Sequence, residues 1–388
     1  MFGPTATQFR ISCNFTDVLS FFLVFEVYNA PQEKMPEGDG MPNLEAAKAF
    51  LITIVSPATN EISVTQSDAI ARNSRMIWAI VAAMAIATII AYWGTGLSFA
   101  SDITLTMGKC ALPLFAVGIF YRRVRPDPLI GFSAEVMAQL VLAMALGCSL
   151  SFPLAVVGFP YRDALLNSAD VWMGLDWRAY LRFVNDRPLL STLTAVAYHS
   201  TLFQLLVVTA VLVSTRHFCR LQQFVLANAI GLCIALAIFT FVPAGGTYSF
   251  FHIAHGEFGN ISPATTADQK VYLDALRSGR HVLIDGMAGL ITFPSFHSAW
   301  AFFFMWAFYP IRWLRAPAIL LNLAVLASTP VQGAHYFIDL IGGGIVAAIS
   351  VYSAFMLTSA APRIRAGLSQ RASRDDVVNG TEIVTDRV

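Results

Sequence analysis

The sequence predicts an all-α integral membrane protein, and three observations carry that reading. Of its 388 residues, 56% are hydrophobic and only 13% are charged, against about 25% charged in a soluble domain. Eight apolar runs follow one another, at roughly 76–96, 103–121, 132–157, 190–214, 222–243, 294–310, 316–333 and 335–357. Each is long enough, or nearly so, to cross a hydrocarbon core that takes ~20 residues of helix. None of them alternates with a period of two, which argues against a β-barrel. Backbone in lipid must satisfy its own hydrogen bonds, so the runs are expected to be helices. A net charge of +1 leaves no basic footprint for nucleic acid. The partner expected from composition is the bilayer.

Residues 1–70 form an N-terminal extension to which no role is assigned. Leu19 to Val27 is apolar but too short to span and is interrupted by Glu26, and Pro31 to Asn43 reads as loop. No basic start followed by an apolar core and a small-residue cleavage site is present, so no signal peptide is expected. The five cysteines have no metal-type spacing and lie mostly in apolar runs, where they read as small buried hydrophobes with no disulfide framework.

Orientation follows from arginines in short loops. Arg72 and Arg75 precede the first run, and Arg122, Arg123 and Arg125 follow the second. Arg216 and Arg220 separate the fourth and fifth runs, Arg312 and Arg315 the sixth and seventh, and Arg363 and Arg365 follow the eighth. With eight crossings all five places fall on one face, which the rule makes cytoplasmic, while the opposite turn 97–102 carries no Lys or Arg. The outer loops 158–189 and 244–293 then face the extracytoplasmic side. Trp172, Trp177 and Tyr180 in the first are expected as an aromatic belt at headgroup depth. The polar tail 359–388 is expected to be cytoplasmic and disordered.

Two short stretches at helix starts carry the candidate chemistry. They are Phe293-Pro294-Ser295-Phe296-His297-Ser298 and Gly333-Ala334-His335-Tyr336-Phe337-Ile338-Asp339. Two apolar passes lie between them, so both return to the same face. The spacing of four puts His335 and Asp339 one turn apart on one helix face. A carboxylate in a membrane helix normally has a partner. A carboxylate that takes the proton of one ring nitrogen fixes the tautomer and leaves the other nitrogen free to attack. His297 lies at a helix mouth, where unpaired amides favour an anion, and suits general acid catalysis. Ser295 is placed to cap that helix or to bind an anion's oxygen. Gly342, Gly343 and Gly344 allow close helix packing beneath the pair. Two histidines and an aspartate are also zinc-ligand types. The sequence has no i,i+4 histidine pair and no nearby cysteine, so neither a metal nor a cofactor is expected. A transporter is the rival of another class. It predicts ionisable residues spread through membrane depth and paired broken helices, whereas these residues cluster at one face and no repeat is visible.

The first stretch resembles the second signature of the type 2 phosphatidic acid phosphatase superfamily, usually Pro-Ser-Gly-His. The segment Ser328 to Asp339, STPVQGAHYFID, resembles its third signature, in which Ser-Arg, five residues, His, three residues and Asp follow one another. The match falls at Ser328, His335 and Asp339. The resemblance implies a six-helix phosphatase-type core over 132–358, preceded by two additional transmembrane helices in 71–131. It also implies an enzyme acting on a phosphorylated lipid, in which His335 attacks phosphorus, His297 protonates the leaving oxygen and Asp339 orients His335. Thr329 stands where the third signature has Arg. The first signature is absent, and Pro243-Ala244-Gly245-Gly246-Thr247-Tyr248 occupies its place. These departures are more similar to the inositol phosphorylceramide synthase-like branch, which transfers a headgroup rather than only hydrolysing. Phosphoryl transfer is mostly positioning and charge stabilisation, so substrate-binding groups are sought in the outer loop. Arg277 and Arg280, which flank Ser278-Gly279, are favoured over Lys270. Gly245, Gly246 and Thr247, with neighbouring Tyr248, offer a glycine turn of backbone amides. His252 and His255 are weaker candidates, and Tyr198-His199-Ser200 is expected to line a lipid cleft or to bond across helices.

Overall fold

The computed structural model describes residues 64–97, 101–254, 256–261, 263, 269–278 and 289–382. Side chains are described at 67–97, at 109 and from 111 to 359 within those ranges. Most of the N-terminal extension, His255 and Arg280 lie outside the described residues. No strand occurs among them, and each of the eight apolar runs is a helix. These helices are α1 (Val64–Thr95), α2 (Ser101–Arg123), α3 (Pro128–Val156), α6 (Pro188–Ser214), α7 (Phe218–Phe241), α10 (Phe296–Phe308), α11 (Arg312–Gln332) and α12 (Phe337–Glu382). Between them lie four short helices, α4 (Asp163–Trp172), α5 (Trp177–Asn185), α8 (Thr247–Phe250) and α9 (Gln269–Arg277). The chain is an all-α integral membrane protein.

Among the described residues, α1, α3, α6, α7, α11 and α12 are long and apolar enough to cross a membrane. Helix α10 departs from expectation, because its 13 residues cover only ~20 Å at 1.5 Å per residue. The apolar run 294–310 is thus a short helix enclosed by others rather than a full span. Ala299, Ala301, Phe303, Phe304 and Ala307 have no exposed surface, and α10 packs on α6, α7, α11 and α12. Its far end is closed from outside. Arg220 donates Nε to Ala307 O at 3.1 Å and Nη2 to Trp306 O, with its guanidinium 4.0 Å over the Trp306 ring. Such donors satisfy carbonyls that a helix C-terminus leaves open.

Helix α1 is built into the bundle. It packs on α3 and α7 and buries Ile77, Val81 and Met84. Buried amides join it to both neighbours: Asn73 Nδ2 donates to Gln222 Oε1 at 3.2 Å, and Gln139 Nε2 to Ser74 Oγ at 3.1 Å. Helix α3 begins on Pro128, with Asp127 accepting from the amides of Leu129 and Ile130. Helix α12 continues to Glu382, so much of the tail expected as disordered is helical. The Ala, Leu, Arg and Gln in that stretch favour helix despite its polarity.

The expected aromatic belt divides in two. Trp172 is 88% exposed, whereas Trp177 is buried, stacked on Phe251 at 5.3 Å and edge-on to Tyr248. Trp177 Nε1 donates to Pro330 O at 3.0 Å, Tyr248 Oη to Val331 O at 2.9 Å and Tyr180 Oη to Ala327 O at 2.8 Å. The last carbonyls of α11 have no helical partner, and three aromatic donors from the outer loops meet carbonyls in this closing stretch.

The start of α12 lies directly against the start of α10. A Cβ at Gly343 would fall well inside contact distance of Ser295 O and 2.8 Å from Ser298 Cβ. Backbone cannot give way there. Gly343→Ala is expected to destabilise by about 1–3 kcal/mol or more, lowering the apparent unfolding temperature in detergent. Gly344→Ala should cost less, since its Cβ would meet only the ring edge of Phe302 at 2.9 Å. Equal losses in the two variants would contradict this packing.

Candidate active site

The loop Gly333 to Tyr336 turns the chain from α11 into α12. Ala334 makes the turn in a left-handed conformation, φ 58°, a cost of order 1–3 kcal/mol for a non-glycine residue. The turn is held from several sides. Ala334 O accepts from Thr247 N at 3.1 Å. The buried Tyr336 donates its hydroxyl to Asp163 Oδ1 at 3.0 Å. His335 is 6% exposed, and its Nδ1 donates to Asp339 Oδ2 at 3.0 Å. The same carboxylate oxygen accepts from Tyr336 N at 3.0 Å, while Asp339 Oδ1 is buried with no partner among the described residues.

Helix α10 starts beside this turn. Ser295 is its N-cap, accepting from Ser298 N at 3.3 Å. Ser295 N donates to Asp339 O at 3.1 Å and Ser298 Oγ to Leu340 O at 2.8 Å, so the two helix starts are laced together on one face of the bundle. His297 is half-buried and stacks on Tyr198 of α6, centroids 4.2 Å apart at 16°. Tyr198 Oη lies 3.3 Å from His297 Nδ1. A Cβ built on Gly333 would sit 3.0 Å from Tyr198 Oη and 2.7 Å from His335 Cδ2. These three spans of 3.3, 3.0 and 2.7 Å, laid end to end, hold His297 Nδ1 and His335 Cδ2 within about 9 Å. Of the Tyr198-His199-Ser200 stretch, Tyr198 is the residue that reaches the pair.

The glycine turn is occupied differently from expectation. Gly245 N and Gly246 N both donate to the Asp163 carboxylate, at 2.9–3.1 Å, and Thr247 N is used on Ala334 O. These amides are therefore not available to a phosphate, because a buried carboxylate from α4 already fills the anion position they form. Tyr248 is buried with its hydroxyl on Val331 O, and Thr247 Oγ1 is buried without a partner among the described residues. Arg277 is anchored elsewhere. Its Nε donates to Ala155 O at 3.0 Å at the end of α3, and its guanidinium lies 4.2 Å over Tyr161. Lys270 pairs with Asp274 at 2.7 Å. Burial alone would raise the Asp274 carboxyl, but hydrogen bonds from Lys270 and Tyr161 and the charges of Lys270 and Arg277 hold it below its ordinary value. Among the described residues, no contact joins Lys270 or Arg277 to either histidine, and no group of three or more His, Cys, Asp and Glu is arranged to hold a metal ion.

Two aspartates that sequence reasoning missed hold the site from α4. Asp163 carries the glycine turn and Tyr336. Asp170, 1% exposed, accepts from Phe337 N and Ile338 N, both at 2.8 Å, and so closes the first turn of α12. Burial pushes the Asp170 carboxyl above its ordinary value, and those two amides pull it back. The available signal is their spacing of seven, two turns of helix on one face, in a segment otherwise read as interfacial. Asp170→Ala strands two amides at about 1–3 kcal/mol each and is expected to lower the apparent unfolding temperature and to loosen amide-exchange protection at Tyr336–Asp339. Asp170→Asn keeps one acceptor oxygen and should lose less. Unchanged protection in the alanine variant would remove Asp170 from this role.

Comparison with known proteins agrees with the geometry. No curated protein and no solved structure matches the chain. Residues 164–353, the stretch that holds His297, His335 and Asp339, match the family model described as the PAP2 superfamily, and that match supports assigning this part of the chain to the superfamily.

Proposed function

We propose that the protein is a membrane phosphatase or phosphotransferase that cleaves the phosphoester of a phosphorylated lipid through a phosphohistidine on His335. One observation carries the reading: a buried His335–Asp339 pair at a helix start, with His297 close by on the neighbouring helix start. Residues 132–358 form the catalytic core in this reading, and 71–131 are additional to it. The arginine pattern of the short loops supports an active site on the extracytoplasmic face, and the membrane proposed is a bacterial inner membrane.

The chemistry follows from the hydrogen bonds. With its Nδ1 proton held by Asp339, His335 presents the Nε2 lone pair to phosphorus. The N–P bond forms as the P–O bond to the lipid alcohol breaks. His297 gives a proton from Nε2 to that leaving oxygen and becomes neutral. It then takes a proton from the incoming nucleophile, whose oxygen bonds to phosphorus as the N–P bond breaks, restoring His335. Water as nucleophile gives hydrolysis. An acceptor alcohol gives headgroup transfer, the outcome favoured by Thr329 and by the Pro243–Tyr248 turn, which are similar to the inositol phosphorylceramide synthase-like branch. The scheme uses no metal ion and no organic cofactor.

The test is trapping. With radiolabelled nitrophenyl phosphate, whose leaving group needs no proton, His297→Ala should accumulate acid-labile phosphate on the protein and His335→Ala should carry none. Label retained on His335→Ala would mean that nucleophile and acid are assigned the wrong way round. Asp339→Asn should remain folded and lose on the order of 10²–10⁴ in turnover through the wrong tautomer. EDTA should leave most activity intact, and loss restored by one specific cation would replace the scheme with metal-assisted hydrolysis. A panel of lipid phosphates with and without inositol or glycerol, read for free phosphate and new lipid together, separates hydrolysis from transfer.

A further inference from the structure

We propose that a polar cleft on the face opposite His335 binds the headgroup of an anionic phospholipid, held through its phosphate by Arg75, Arg122 and Tyr121. The inference goes beyond the phosphoryl-transfer reading and does not depend on it. The cleft lies outside residues 164–353, the stretch that matches the family.

Helix α3 fixes which face this is. Its end meets the outer loop, where Arg277 Nε donates to Ala155 O at 3.0 Å. That loop also holds the His335 turn, through Thr247 N on Ala334 O. The 29 residues of α3 place its start ~40 Å from its end. Around that start, α1 and α2 pack on α3 rather than broadly on each other. Between them is a cleft of about 580 Å³, within the ~300–1,000 Å³ usual for ligand sites. Trp78, one turn further into the bundle than Arg75, stacks on Phe115 at 5.5 Å and joins α1 to α2 there. Ser74, Arg75, Tyr121, Arg122, Asp127 and Glu135 supply the polar wall.

Both carboxylates in this wall are already satisfied. Glu135 accepts from Ser74 Oγ at 2.7 Å, from Trp78 Nε1 at 3.0 Å and from Arg122 Nη2. Asp127 caps α3 by accepting from Leu129 N and Ile130 N. The donors are in surplus. Arg122 is positioned twice, its head on Glu135 and its stem across Gly131, whose Cβ would lie 3.2 Å from Arg122 Cγ. The other N–H groups of its guanidinium remain for a ligand. Arg75 is exposed, and neither it nor the Tyr121 hydroxyl makes a hydrogen bond or ion pair among the described residues. Arg123 and Arg125 belong to the same short turn as Asp127, so the surroundings carry a positive excess. The turn itself is rigid, with Arg125 N on Phe120 O at 3.1 Å and Asp127 N on Tyr121 O at 2.8 Å. The setting favours a lipid over a soluble anion. Ile119 and Phe120, just before Tyr121, are 57% and 43% exposed and offer acyl chains an apolar wall, and basic pockets between membrane helices suit anionic headgroups.

The experiment uses the full chain in nanodiscs of phosphatidylcholine, doped with a photoactivatable phosphatidylglycerol. Cross-linked peptides are mapped, and the label on α1 and α2 is titrated, with the apparent unfolding temperature as the check on folding. Label is expected to saturate on α1 and α2 beside the cleft and to be competed by unlabelled phosphatidylglycerol. Arg75→Gln should weaken this binding about fivefold, the worth of one arginine near a membrane surface, and Arg75→Glu should weaken it further. Neither should lower the unfolding temperature, because Arg75 holds no partner. Arg312→Gln, on a helix that does not border the cleft, should bind as the wild type does. Undiminished labelling in both Arg75 variants would overturn the proposal, and so would an equal loss in Arg312→Gln, which would mean diffuse surface charge. Label that fails to saturate on these helices would show only bulk lipid contact and sink the site. Competition by millimolar glycerol phosphate as effective as that by the lipid would assign the cleft to a soluble anion and refute the lipid as its occupant.

Discussion

The carboxylates of Asp170 and Asp163 are the constraint on which the site depends. A helix start exposes amides that a low-dielectric environment penalises if they are left unpaired. Helix α12 begins inside the protein, and Asp170 takes two of its first amides while Asp339 takes a third. At Tyr336, the residue before α12, Asp163 takes the side-chain hydroxyl, and it also takes the two glycine amides of the neighbouring turn. The backbone around His335 is therefore fixed from both sides before its imidazole makes any bond. That rigidity permits the left-handed Ala334, a conformation that persists only where its surroundings over-determine it.

This arrangement also changes how the site handles charge. The Asp170 and Asp339 carboxylates meet the positive end of α12, while α10 begins with the neutral cap Ser295. The dipole field that remains uncompensated by a carboxylate cap is that of α10, at whose mouth His297 sits, and it favours an anion there.

The helices, and the pairing of His335 with Asp339, were legible in the sequence because both follow from local periodicity. A spacing of four on a helix puts two side chains together whatever surrounds them. The close approach at Gly343 was legible for the same reason. Three features were not. The run 294–310 has the composition of a span, yet its last described turn ends at Phe308, capped by Arg220 from a helix far away in sequence. Gly245 and Gly246 have the chemistry of an anion cradle, and they are one; the anion is a carboxylate supplied by a residue 82 positions earlier, which no local pattern reveals. Trp177 differs from Trp172 only by which face of the outer cap it occupies, and that is decided by tertiary packing on Tyr248 and Phe251.

Helix α4 links this interior constraint to the membrane. Its buried face carries Asp163, Leu166 and Asp170, while Leu165 and Val171 are each 62% exposed beside Trp172. Charged groups inside and large apolar groups outside reverse the pattern of a helix on a water-soluble protein. In water such a face would be costly; against the interfacial zone of a bilayer it is favourable, and tryptophan concentrates there. The element that fixes the His335 loop is thus shaped to lie where lipid headgroups lie. Anything that shifts α4 in the interface pulls directly on the two amides at the start of α12, so for this site the packing of the outer cap and the geometry of the His335–Asp339 pair are a single problem.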